Sequence, residues 1–180
     1  MTQQQNKSLE VFRPYPTNTI LSISKESLGY SVSLSAPSSA AWPTANKAFY
    51  APFYLWRDVT VSKMFLLNGS TANGNLEMGI YSTSGVRLAT TGSVAQSGTN
   101  VCQRANLLSS VNLGVGQYYM ALVLTSGTGT VMRKSVASPP LMNMFGYFQQ
   151  TSAFPLPANA TFGSFTAGSV FVFGLKTINV

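Results

Sequence analysis

A two-residue alternation of apolar with hydroxyl or glycine residues constrains this chain more than any other feature. Leu28, Tyr30, Val32 and Leu34 alternate with Gly29, Ser31, Ser33 and Ser35. Successive side chains of a strand leave on opposite faces, so the pattern makes a sheet with one greasy face and one polar face. Val59 and Val61 open a second such stretch within 58–67. Leu76, Met78 and Ile80 form a third, opposite Glu77, Gly79 and Tyr81. Tyr118, Met120, Leu122 and Leu124 alternate with Tyr119, Ala121 and Val123. Both of those sets are apolar, which predicts a strand covered on both faces. Ser169 to Leu175 reads the same way and is the expected last strand.

Turns punctuate the pattern. Ser82-Thr83-Ser84-Gly85 predicts a hairpin over 75–91; Gly114-Val115-Gly116 and Ser126-Gly127-Thr128-Gly129 predict two further turns. Val111 to Leu113 and Thr130 to Arg133 read as short strands, and 141–166 as irregular after Pro139-Pro140. No helical period appears. About eight strands with regular turns predict an all-β fold, a jelly-roll-like β-sandwich over residues 28–180.

Residues 1–27 read differently, as an extended N-terminal arm. Met1 to Glu10 is polar, and Phe12-Arg13-Pro14-Tyr15-Pro16 follows. The prolines fix φ and forbid helix. An extended piece with Phe12, Tyr15, Ile20 and Leu21 must lie across its own domain or across a neighbour. Phe12, Arg13, Pro14, Tyr15, Ile20 and Leu21 are therefore interface candidates.

Charge narrows the function. Charged residues make up 8% of the chain, against about 25% in ordinary soluble domains. A surface so poor in charge resists association weakly and suits a protein made for an assembly. The net charge is +7, but the basic residues are scattered, with Arg133-Lys134 the sole doublet. A nucleic-acid footprint needs clustering, so no direct nucleic-acid partner is expected; the charge suits an acidic partner surface. The N-terminus lacks the apolar run of a signal peptide, and no stretch approaches a membrane span. Synthesis in a cytoplasm is the expectation.

Catalysis has few routes. There is no histidine and one cysteine, Cys102. Histidine-based triads and thiolate metal sites are excluded, as is an internal disulfide. No cofactor is expected. The four acids are Glu10, Glu26, Asp58 and Glu77. Only Asp58 and Glu77, on successive predicted strands, offer a carboxylate pair of the glycosidase kind. The structural alternative is that each meets a base such as Arg57 or Lys63.

Aromatic residues are the other candidate site. Trp42, Phe49, Tyr50, Phe53, Tyr54 and Trp56 crowd one region with Pro43 and Pro52. They fill the core, form a subunit interface, or stack sugars. Phe53 and Leu55 share one parity, Tyr54 and Trp56 the other, so the second face needs its own cover. Trp42, Tyr54 and Trp56 are the interface candidates here. Asn6, Asn68 and Asn159 match the glycosylation pattern by chance, in the absence of a signal peptide.

Residues 79–92 read Gly-Ile-Tyr-Ser-Thr-Ser-Gly-Val-Arg-Leu-Ala-Thr-Thr-Gly, and 114–122 read Gly-Val-Gly-Gln-Tyr-Tyr-Met-Ala-Leu. This pairing resembles a β-sandwich module of tailed-phage virion proteins, over roughly residues 58–125. The module has a strand ending in G-I-Y, a turn with G-x-x-L-A, and a later strand opening G-x-Y-Y-x-A. The resemblance implies a non-catalytic virion subunit, most simply a capsid decoration protein, with tail or head-fibre receptor binding as the alternative. It implies self-association as a homotrimer and contact with a major capsid protein or another virion protein. In the alternative, the partner is a host surface glycan.

Overall fold

The computed structural model describes residues 19–21, 37–135, 146–167 and 169–178. They form fourteen strands: β1 (Thr19–Leu21), β2 (Ser38–Ala41), β3 (Ala48–Leu55), β4 (Val59–Leu67), β5 (Asn75–Tyr81), β6 (Arg87–Thr90), β7 (Val94–Ala95), β8 (Cys102–Leu113), β9 (Gly116–Leu124), β10 (Thr130–Ser135), β11 (Gly146–Gln150), β12 (Phe165–Ala167), β13 (Ser169–Phe171) and β14 (Phe173–Ile178). The alternating stretch at 28–34 lies outside the described residues. No helix among the described residues is long and apolar enough to cross a membrane.

Every pairing is antiparallel. The large sheet runs β12-β11-β3-β9-β5-β6, with β7 also on β5. Facing it are a four-stranded sheet, β1-β14-β4-β8, and a three-stranded one, β13-β10-β2. The chain joins these two smaller sheets at Val172, between β13 and β14, and an isolated bridge from Asn68 to Val131 joins them again. The predicted single strand from Ser169 to Leu175 is thus two strands. Both halves are apolar on the inner face, so the hydrophobic pattern carries no mark of the change of sheet.

Two cores result. The first lies between the layers and takes Phe49, Phe53, Leu76, Met78, Ile80, Met120 and Leu122 from the large sheet. It meets Val61, Met64, Leu66, Val131, Phe171, Phe173 and Leu175 from the facing layer. The second lies on the outer side of the large sheet, where Ala48, Tyr50, Tyr81, Ala121 and Val123 meet Ala153 and Leu156. The expectation that Tyr118–Leu124 is covered on both faces is met, and residues 151–163 supply the second cover.

That covering segment makes almost no ladder of its own and is fastened at separate points. Ala153 N–H donates to Asn46 O (2.8 Å), Leu156 N–H to Glu77 Oε2 (2.9 Å), and Ala160 N–H to Gly85 O (2.7 Å). Tyr81 donates its hydroxyl to Pro157 O at 2.7 Å. Gly85 closes the predicted Ser82–Gly85 turn with φ of 85°, and a Cβ there would sit 2.7 Å from Ala160 O. The turn therefore needs glycine both for its dihedral and for the cover's approach.

Burial holds the Tyr50 and Tyr81 phenols well above their ordinary pKa and raises that of Tyr147. An unfolded chain releases these protons near pH 10, whereas the folded chain keeps them. Their contribution to stability is whole below about pH 10 and is lost as pH rises above it. Thermal unfolding followed across this range should show a Tm falling steeply above about pH 10. The Tyr50→Phe, Tyr81→Phe double variant should flatten that fall, and an unchanged slope would refute the assignment.

Loops at one end of the sandwich are set by buried amides. Asn68 is fully buried; its Nδ2 donates to Ser97 O (2.6 Å) and Gln103 Oε1 (2.9 Å), and its Oδ1 accepts from Gln96 Nε2 (3.1 Å). Gln96 also donates to Thr130 O at 2.9 Å and accepts from Asn73 N–H at 3.0 Å. The carboxamide of Asn68 is thus committed to packing, with no room for a glycan.

Candidate adhesion site

The opposite end carries two exposed aromatic groups, Tyr54 and Trp56. Leu55 at the end of β3 pairs with Gly116, and Val59 at the start of β4 pairs with Leu113. The β3–β4 turn (56–58) and the β8–β9 turn (114–115) therefore sit side by side and both cross between layers. Asp58 Oδ1 accepts the Val115 N–H at 3.2 Å, and Tyr118 donates its hydroxyl to Gly114 O at 3.2 Å. The first bond ties the two turns together, and the second braces the β8–β9 turn on its own strand.

On this support Trp56 is 73% exposed, Val115 58% and Tyr54 37%. The Tyr54 and Trp56 rings touch, with centroids 4.6 Å apart. Strand parity explains it: Phe53 and Leu55 enter the inner core, so Tyr54 leaves on the outer face. On that same face Tyr50 is sealed by Phe162, at 5.3 Å. The cover reaches Tyr50, whereas Tyr54 stays exposed beside Gln117, its cross-strand partner. A tryptophan this exposed, next to a tyrosine and a valine, is an apolar patch that a partner or a flat ligand can cover.

The remaining candidates are placed as follows. Trp42 is a correction: it is 1% exposed and belongs to the inner core. Its ring centroid lies 4.9 Å from that of Phe49 and 4.6 Å from that of Phe171, and its Nε1–H donates to Lys47 O at 3.1 Å. An apolar indole with its one donor satisfied gains more inside than at a surface. Ile20 and Leu21 lie on β1, which pairs with β14 of the same chain at Ile20–Leu175 and Leu21–Gly174. This part of the arm is thus tied to its own domain. Phe12, Arg13, Pro14 and Tyr15 lie outside the described residues.

Asp58 and Glu77 are not brought together as neighbouring strands would bring them. β4 and β5 belong to different sheets, because the chain crosses the sandwich between them. Glu77 is 2% exposed on the outer side of the large sheet. It accepts from Thr90 Oγ1 at 2.5 Å and from Leu156 N–H, and lies 3.8 Å from Arg87. Arg87 itself also donates to Leu156 O. Both carboxylates thus hold backbone in place. The base beside Glu77 is Arg87, which the sequence reading did not name.

Two features were not anticipated from the sequence. Val115 joins the aromatic patch; its only signal was an apolar residue between two turn glycines. The second is a shallow groove of about 240 Å³ between β6 and β8, lined by Leu88, Leu108 and Val111 among others. It exists because β8 bulges: Val61 pairs with Val111 and Lys63 with Asn106, so 107–110 stand opposite Ser62 alone. Leu108, 73% exposed, is carried outward by that bulge. Comparison of the chain with family models, curated proteins and solved structures finds no match.

Proposed function

We propose that the chain is a non-catalytic adhesive subunit of a virus particle, a capsid decoration protein that covers the shell as a homo-oligomer, with the trimer as the simplest form. The observation that carries this reading is the Tyr54–Trp56–Val115 patch, set on two mutually bonded turns in a sandwich poor in charge. Tryptophan and tyrosine concentrate binding energy when a partner desolvates them. In this reading the chain acts through the apolar area it covers. Its partners would be its own copies and the major capsid protein.

The Tyr54→Ser, Trp56→Ser double variant should keep its stability within about 1 kcal/mol, because both side chains are exposed. Its occupancy on purified particles, counted by quantitative mass spectrometry, should fall about tenfold or more. Removing residues 1–18, which spares β1, should lower occupancy as well. Wild-type occupancy of the double variant, or absence of the native chain from particles, would sink the reading.

The same patch favours a second reading. Two touching aromatic rings beside an exposed glutamine suit a sugar face, as in a tail or head-fibre protein that binds a host glycan. A glycan array decides it: a defined set of hits lost with Trp56→Ser assigns the patch to sugar.

A further inference from the structure

The outer face of the four-stranded sheet concentrates positive charge that nothing on that sheet offsets. Registers across its strands place Thr19, Lys176, Lys63 and Asn106 in one row. Leu21, Gly174, Phe65 and Arg104 form the next, and Leu67 pairs with Cys102 in the one after. Burial fixes the direction: Met64, Leu66 and Leu175 in the alternate positions are fully buried, whereas Lys63 and Arg104 are exposed. Lys63, Lys176 and Arg104 therefore share the outward face.

Lys63 and Lys176 are direct cross-strand partners, which puts their Cβ atoms about 5 Å apart, and like charges in that relation oppose folding. Arg104 lies one diagonal from Lys63, within about 8 Å. The strands β1, β14, β4 and β8 contain no Asp or Glu. The two acids among the described residues are engaged elsewhere, Asp58 at the β8–β9 turn and Glu77 under Leu156. A sheet face that holds repelling cations together, with no counter-charge among the described residues, is complementary to an anionic surface.

We infer that this face docks on a carboxylate-rich protein surface. Half-buried Phe65 and Leu67 interleave with the cations, and such a mixture of apolar and separated charged groups suits a protein partner. A phosphate backbone calls for a longer basic track and for aromatic rings standing clear for bases. Here Phe65, opposite Gly174, is half-buried and does not stand clear. The inference rests on the adhesive reading and adds a second surface to it, with the partner's chemistry.

The test uses the full chain and fluorescently labelled poly-L-glutamate, with oligodeoxythymidylate as the comparison, in low salt. Binding to polyglutamate is expected and should fade as salt rises to about 150 mM. Lys63→Ser with Lys176→Ser should weaken it about tenfold, and adding Arg104→Ser should weaken it further. Lys47→Ser with Lys134→Ser removes the same net charge from other surfaces and should change it less than about threefold. Equal losses from the two pairs would mean net charge alone, and would overturn the inference. So would tighter binding of oligodeoxythymidylate, which would make the face a nucleic-acid surface. The readout does not involve virus particles, so absence of the chain from particles would defeat the adhesive reading while leaving this result standing.

Discussion

Replacing Trp42 by alanine should destabilise the fold by about 4 kcal/mol, the largest effect expected of any single truncation in the inner core. The indole is 1% exposed and wedged against Phe49 and Phe171. Its removal leaves a void that neighbouring rings fill only partly, and it frees the Lys47 carbonyl from its donor. A urea titration gives the number through the midpoint shift at unchanged slope. Trp42→Phe should lose much less than the alanine variant, since most of the ring contact survives. A loss under about 1 kcal/mol for Trp42→Ala would mean that the core does not rest on this residue.

Glu77→Ala should cost about 3 kcal/mol and, more tellingly, should loosen one segment before the rest. Without the carboxylate, the buried Leu156 N–H loses its acceptor, and the Thr90 hydroxyl loses its shorter acceptor and keeps only Met78 O. The covering segment 151–163 would then be held on the large sheet by its remaining ties near Asn46, Tyr81 and Gly85. Amide hydrogen exchange should rise around Ala153–Ala160 while β3 and β9 keep their protection. Uniform loss of protection across both cores would show that the cover is no separable unit.

The sequence was legible where burial is one-sided or two-sided over an unbroken strand. The hairpin at 75–91 and the doubly covered Tyr118–Leu124 could be read because every residue there reports its face. The long strand β8 was visible only at Val111–Leu113. Its outward positions are mostly polar, with Leu108 the apolar exception, and the bulge at 107–110 breaks the period between Leu107 and Leu113. Within 141–166, β11 and β12 were read as irregular because they are short and separated by the cover. Nothing periodic marks that cover: its grip comes from point contacts. At the end that carries the aromatic pair, parity separated Tyr54 and Trp56 from Phe53 and Leu55. Which of the aromatic groups met solvent depended on how far the cover reaches, which spacing cannot tell. The clustering of Lys63, Arg104 and Lys176 was hidden for another reason. Residues far apart in the chain become neighbours only through strand register.

The three-residue ladder between β1 and β14 has a mechanical consequence. Tension that reaches Thr19 loads that ladder before any other described strand. With so few backbone bonds it yields well before the eight-register ladders of β3 with β9 or β4 with β8. The next described strand along the chain, β2, lies in a different sheet. Release of β1 alone would thus take up extension at the edge of one sheet and leave the longer ladders closed.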